Sequence, residues 1–582
     1  MHRLAVTALY FLLSGFSVHA AEELERRWVF VGANLLVADE LDRVEAVLDR
    51  AAASGYNGIL LSDYKSSFWW RLENASTYRS HCNRLHRMLK ARNMELAVSL
   101  FPFGYAGPLL WDNQNLATGV PVRKVAMTLE GDELKFIPGD GLPNGSLDNS
   151  HGDQIIGTRF QDSPGLITFV DETTKQGSKG KASLRIENAG KAANGNGRIC
   201  FRLKVNPRHQ YRVRFWMKAK NLKGGLAQGI VLGAKGGRGL VSQSLVRPDN
   251  DGDPEPWAWA DDTSFDWTEQ LLTFNSLDQT EVDLYLGIWE GETGALWVDN
   301  ISVENVSTLN LVRRDSLPLA ITSEDGSIEY KEGGDFHPVQ DSQLGQIGWQ
   351  GNFNVRHEAP TIRITENSKI KPGEPVYLSA FHTSIMENGQ VTCSLLDEEV
   401  FKNCETSLQL ALQALDPDII FMGHDEIRVG GWEPELIQRF PTTGEMLAEN
   451  MRQCQDIIER VAPGKEKMVW SDMFDPHHNA HEDYYLVNNT LAGSWEGLKP
   501  TTMIMNWGDD TTAKSLNFFA KRGHTQMVAT YYDQDVEENY AHWQKAMADV
   551  PNIKGVMFTT WEENFDELEK FAETWWGKVK AE

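Results

Sequence analysis

The chain has 582 residues, with 56 Lys and Arg against 82 Asp and Glu for a formal net charge of −26, and 41% of its residues are hydrophobic. That length exceeds one ordinary core and predicts two or more domains, and the apolar share excludes a disordered chain. A surface this acidic repels phosphate backbones and anionic headgroups, which excludes nucleic acid and a charged membrane face as partners and leaves a neutral sugar or polymer compatible.

His2 and Arg3 form a short polar start, Leu4 to Phe16 is an apolar run, and Val18-His19-Ala20 offers small residues around a cleavage point. This order predicts an export signal over residues 1–20, hence a periplasmic or extracellular protein. The run is too short for a permanent anchor, and no later segment is apolar enough to span a bilayer. Cys82, Cys200, Cys393, Cys404 and Cys454 are too few for a disulfide scaffold. Cys393 and Cys404 are either paired or free and buried. The absence of a CxxC pair argues against a structural zinc site.

After the signal, apolar strand patterns alternate with helical ones. Trp28 to Val31 predicts a first strand, Ala38 to Ser54 a helix ended by Gly55, and Tyr56 to Leu61 a second strand. A helix near Cys82 to Arg92 and a strand over Glu95 to Phe101 complete a βαβαβ start. From about Asn144 to Val306 the pattern turns all β, with strands at Ala182–Ile186, Ile199–Val205, Tyr211–Met217, Glu269–Phe274, Val282–Trp289 and Leu296–Ile301. The flanking stretches that start at Asn115 and Asn310 resemble one another and are expected to pair as a small sheet holding the insert. Six more strands follow, at Pro375–Phe381, Ile419–Met422, Lys467–Trp470, Thr502–Asn506, Gln526–Tyr531 and Gly555–Thr559. That makes nine candidates for eight places, so one is surplus, and Pro375–Phe381 is expected to extend the region of the third strand after the insert. The simplest fit is an α/β fold, a (β/α)8 barrel interrupted by an inserted all-β jelly-roll sandwich, with a doubly wound sheet as the rival. The expected domains are 21–112 and 346–582 for the barrel, 113–143 and 307–345 for a connecting β region, and 144–306 for the sandwich.

Barrel enzymes carry their chemistry at strand C-termini. Here those ends read Ser62-Asp63, Phe103-Gly104-Tyr105, His382-Thr383, Gly423-His424-Asp425-Glu426, Ser471-Asp472, Trp507-Gly508-Asp509, Tyr532-Asp533 and Trp561-Glu562. Each alone is an ordinary cap or turn; the coincidence over so many ends predicts a site. Trp470, Trp495, Trp507, Tyr531, Tyr532 and Trp561 suit the flat C–H faces of a sugar, and Asp63, His382, His424, Arg428, Asp472, Glu496, Asp533 and Glu562 suit its hydroxyls.

Adjacent carboxylates at Asp425 and Glu426 repel one another and raise one pKa, which suits a proton donor to a glycosidic oxygen. Sequence neighbours rarely face each other as the ordinary carboxylate pair does, at ~5 Å or ~6.5–9.5 Å. They do fit a mechanism in which Asp orients a substrate acetamido group that itself attacks the anomeric carbon.

Phe421-Met422-Gly423-His424-Asp425-Glu426 resembles the family-20 glycoside hydrolase motif, whose strand ends in Gly-Gly-Asp-Glu. Ser62-Asp63, Trp470-Ser471-Asp472, Trp507, Tyr532-Asp533 and Trp561-Glu562 are similar to that family's other strand ends, in order. The resemblance implies a β-N-acetylhexosaminidase-like, exo-acting, retaining enzyme without a cofactor. It implies Glu426 as acid/base, Asp425 orienting the acetamido group, Tyr531 or Tyr532 touching that group, and Glu562 binding hydroxyls. The chain departs from it in lacking an Arg over Val31-Gly32-Ala33-Asn34 and in placing His424 where the family has Gly. The inserted block resembles jelly-roll carbohydrate-binding modules through Trp297-Val298-Asp299-Asn300-Ile301 and Tyr211–Trp216, with Trp257, Trp259, Trp267 and Trp289 as candidate sugar platforms.

Three alternatives stay open. One is a glycosidase of a separate family, with Asp472, Glu496 or Glu562 as a second carboxylate. Another is a secreted glycan-binding protein with an inactive barrel. The third is a metal-dependent hydrolase using the Asp472–Asp483 loop, rich in His and carboxylates. No HExxH or GxSxG element is present.

Overall fold

The computed structural model describes residues 24–577 apart from 140, 246, 249–253, 256–262, 388 and 509–510. The expected export signal, Trp257, Trp259 and Asp509 lie outside the described residues.

Eight parallel strands close into a barrel in chain order. They are β1 (Arg26–Gly32), β2 (Gly58–Ser62), β3 (Glu95–Leu100), β4 (Ile419–Met422), β5 (Glu466–Trp470), β6 (Thr502–Asn506), β7 (Gln526–Tyr531) and β8 (Ile553–Thr559). Most are near-continuous apolar runs, such as IIFM and QMVATY, because helices cover one face and the barrel interior the other. Closure is set by β1, which pairs with β2 through Trp28↔Gly58 and with β8 through Trp28↔Met557. Gly58 is required there: a Cβ would stand 2.3 Å from the Trp28 indole nitrogen.

The barrel interior holds Trp28, Leu60, Ala97, Phe421 and five methionines, Met468, Met503, Met505, Met527 and Met557. Unbranched thioethers fill the irregular space left around two large aromatics. Outside, amphipathic helices pack on the strands. Ala38–Ala53 buries Leu41, Val44, Leu48 and Ala51 at helical spacing. Thr443–Val461 begins with a Thr442 cap that accepts from the Glu445 N–H at 3.1 Å.

The chain leaves the barrel after β3 and returns only at β4. Between them stand two five-stranded antiparallel sheets, one ordered Thr263–Asn275, Gln210–Lys223, Thr293–Asn305, Ser183–Glu187, Thr168–Asp171. The other runs Gly239–Ser244, Leu226–Gly233, Glu281–Trp289, Gly197–Lys204, Phe160–Gln161. Their inner faces share a core that includes Leu184, Phe201, Val213, Phe215, Leu272, Leu286 and Val298.

The ninth candidate strand is resolved by a third sheet. Val376–His382 lies between Val120–Glu130 and Ala320–Ser323 and pairs antiparallel with both. It therefore belongs to the connecting region rather than the barrel. The two similar flanking stretches share this sheet without touching as strands, because Val376–His382 separates them. All five cysteines are free and buried, so Cys393 and Cys404 are not paired. No helix among the described residues is long and apolar enough to cross a membrane.

Candidate active site

The chain beyond β4 is tied to the chain beyond β3. Gly423 N–H donates to Leu100 O at 2.8 Å, and Phe103 N–H donates to Gly423 O at 2.9 Å. Gly104 lets the two loops meet, since a Cβ there would lie 2.0 Å from Asp425 O. His424 turns inward and is fully buried beside Phe103, with Nε2 bonded to Asn450 Oδ1 at 2.8 Å. Burial lowers its pKa to about 4, so the ring is neutral. It is a support beneath the site and does not face a substrate.

Glu426 adopts φ +49°, a left-handed conformation that is strained for a residue with a Cβ. Two bonds hold it: its N–H donates to Asp472 Oδ2 at 2.8 Å, and its O accepts from Gln390 Nε2 at 2.8 Å. Its carboxylate pairs with Arg428 at 2.8 Å and accepts a hydrogen bond from the Tyr105 hydroxyl. Arg428 in turn lies over the Tyr485 ring, 5.3 Å from its centroid.

Asp425 is half-buried, and its pKa is pushed up to about 8 by desolvation first, then by the charges of Asp472 and Glu426. Asp472 is fully buried, and desolvation raises its pKa as well. Its carboxylate accepts from Asn479 at 2.9 Å and from the Trp507 indole at 3.2 Å besides the Glu426 N–H.

Beside these acids lies an aromatic floor. Trp470 and Trp507 are edge to face at 6.4 Å, Trp470 and Trp561 lie at 6.4 Å, and Tyr532 stacks on Trp561 at 6.1 Å. Phe30 closes the set 5.3 Å from Trp561. Trp561 is 51% exposed and forms the rim.

The remaining candidates go elsewhere. Tyr531 turns outward and stacks on Phe558 at 4.4 Å beneath the helices, so of the two tyrosines only Tyr532 faces the mouth. The Tyr532 hydroxyl is already spent on Ala529 O. Asp63 accepts from the N–H groups of Leu35 and Lys65 and serves as a loop clamp. Asp533 likewise holds Thr560 at 2.5 Å and the Trp561 N–H at 2.8 Å. Glu562 is exposed, its N–H also on Asp533. His382 is buried in the connecting sheet against Asn275 at 2.9 Å, away from the barrel mouth, because its strand is not a barrel strand. Trp495 packs on Phe518, and Glu496 pairs with Arg522 at the C-terminal end of the helix after β6. In a β/α barrel that end lies on the face opposite the strand C-termini.

Tyr105, Gln390 and Tyr485 complete the site without having been singled out as site residues from sequence, and Asn479, a candidate sugar contact in the loop after β5, joins them through Asp472. Tyr105 had a visible signal, its place after β3. Gln390 had none, since it comes from a loop of the connecting sheet. Among the described residues no group of three or more His, Cys, Asp and Glu is arranged to hold a metal ion.

No protein-family model matches the sequence, and no curated protein matches it. Among solved structures, 28% of the chain is similar to a "Family 16 Carbohydrate Binding Module-2", covering 98% of that chain at 16% identity and TM-score 0.19. A similar stretch, 29% of the chain, is like the CBM22-1 xylan-binding domain of Paenibacillus barcinonensis Xyn10C, over 96% of that domain at 19% identity and TM-score 0.19. A rhamnosidase from Novosphingobium sp. PP1Y is similar over 92% of this chain and 55% of its own length, at 11% identity and TM-score 0.32.

Proposed function

We propose that this protein is a glycoside hydrolase that removes a β-linked sugar, an N-acetylated amino sugar foremost, with Glu426 as acid/base and Asp425 orienting the acetamido group. The observation that supports it is the convergence of Asp425, Glu426 and Asp472 beside the floor of Trp470, Trp507, Tyr532 and Trp561. Ring faces take a pyranose's C–H surface, and the carboxyls supply the proton transfers that breaking a glycosidic bond requires. The acetamido oxygen would attack the anomeric carbon as the proton passes to the leaving oxygen, and Asp425 would hold the amide N–H. Replacing Glu426 by Gln is expected to abolish turnover of an N-acetyl-β-hexosaminide with a sugar or alkyl leaving group while sugar binding persists. Full activity in that variant refutes the assignment.

One observation favours a second arrangement. In the free protein Glu426 is ion-paired with Arg428, whereas Asp425 keeps its proton up to about pH 8. Asp425 would then be the donor and Glu426 the charged partner of the developing oxocarbenium ion. Rescue of Asp425→Asn by substrates whose leaving group needs no proton separates the two, since an orienting residue is not bypassed in that way.

A further inference from the structure

Between the inserted sandwich and the barrel loop that follows β5 lies a groove of about 340 Å³, within the ~300–1,000 Å³ of ligand sites. Ile230, Leu232 and Ser242 form its sandwich wall, and His481, Tyr484 and Tyr485 its barrel wall. The two walls are fastened together. Arg238 of the sandwich donates to Tyr485 O at 2.6 Å and to Val487 O. Ser242 stands beside Glu387, on the same loop that carries Gln390 to Glu426 O.

The groove is connected to the carboxyl pair through Tyr485, on which Arg428 stands. The backbone N–H of Glu426 points to Asp472, which carries Trp507 of the aromatic floor. Its carboxylate pairs with Arg428, which stands on Tyr485 of the groove. Glu426 is thus linked to the floor through Asp472 and to the groove through Arg428. A proton donor sits next to the departing oxygen, so with the cleaved sugar on the floor, the groove receives the departing part. Aliphatic and tyrosine faces beside Ser242, His481 and Asp483 match a sugar's mixed surface. The Arg428 side chain is 9% exposed, and its Nε has no hydrogen-bond partner within the protein.

We infer that this groove is a leaving-group subsite, that the sandwich completes the active site, and that the substrate is an oligosaccharide whose departing units bind against Ile230, Leu232 and Tyr485. The inference rests on the glycosidase reading for which side is which. It is tested by calorimetry in the Glu426→Gln background with β-linked oligosaccharides of one to four units, with and without acetamido groups. Affinity is expected to rise tenfold or more with added units, and Ile230→Trp, which fills the groove, is expected to erase that rise. A second variant, Ser242→Trp, should do the same, and thermal unfolding checks that both remain folded. No gain with length in any series, or a gain that survives both variants, overturns the inference. Hydrolysis by Glu426→Gln at the wild-type rate would instead refute Glu426 as the acid/base, and no hydrolysis by the wild type would refute the glycosidase reading; either leaves the binding result standing.

Discussion

Glu426 owes its position to Asp472, whose Oδ2 accepts the Glu426 N–H at 2.8 Å. The same carboxylate anchors Trp507 and Asn479, so one buried group aligns the acid pair with the aromatic floor.

Asp472→Ala leaves three donors without their acceptor. Orphaned buried donors cost about 1–3 kcal/mol each at most sites, so the variant is expected to lose on the order of 3 kcal/mol of stability and at least a hundredfold in kcat. Denaturant unfolding and steady-state kinetics check both. Asp472→Asn keeps the shape and removes a charge that adds to desolvation in raising the Asp425 pKa. Its alkaline kinetic limb should therefore move to lower pH.

Asp425 gives a stability signature as well. Its folded pKa of about 8 lies above the unfolded ~3.9, so the native state holds the extra proton. The contribution is complete below about pH 4 and is lost as pH rises toward 8. Asp425→Asn is expected to gain on wild type as pH goes from 4 to 8, by on the order of 1–3 kcal/mol with solvent screening allowed for. Equal pH slopes in urea unfolding would contradict this.

Three histidines act in the opposite sense. His209, His382 and His424 are each lowered to about 4 by desolvation. The unfolded chain binds their protons first, so this stability is present above about pH 6.5 and is lost as pH falls toward 4. Ring resonances of all three should still report the neutral form at pH 5.

Trp507→Phe separates stacking from support. The ring face remains while the indole N–H on Asp472 is lost. A fall in kcat/KM of about tenfold is expected, equivalent to about 1.4 kcal/mol, carried mainly by kcat. Trp507→Ala should raise KM as well, since the face itself is gone.

Strand ends were legible wherever a parallel, doubly buried strand writes itself as an apolar run. That is how β4 exposed Asp425 and Glu426, and how Trp507 and Trp561 came to the mouth. Failures have physical reasons. Tyr531 and Tyr532 are adjacent, and alternation sends one outward; sequence could not choose which without the register. His382 followed a strand with the same apolar pattern as a barrel strand, but antiparallel partners on both flanks claimed it. Trp495 and Glu496 were expected among the sugar-binding residues, but they sit in a short helical turn that faces Phe518 and Arg522. Gln390 and Tyr485 are set by how the sandwich, connecting sheet and barrel meet, which no local pattern encodes.

The pairing of β3 with β4 joins Ala97–Leu100 to Ile419–Met422. At about 5–20 residues per second, a ribosome needs roughly a quarter of a minute to a minute to deliver the second strand after the first. Throughout that time β3 presents an open edge, the kind of surface that recruits wrong partners. The sandwich, whose strands all emerge within the delay, has time to fold first. Its completion brings the distant halves of the chain together, so an early defect in the sandwich is expected to appear as aggregation of the unclosed barrel.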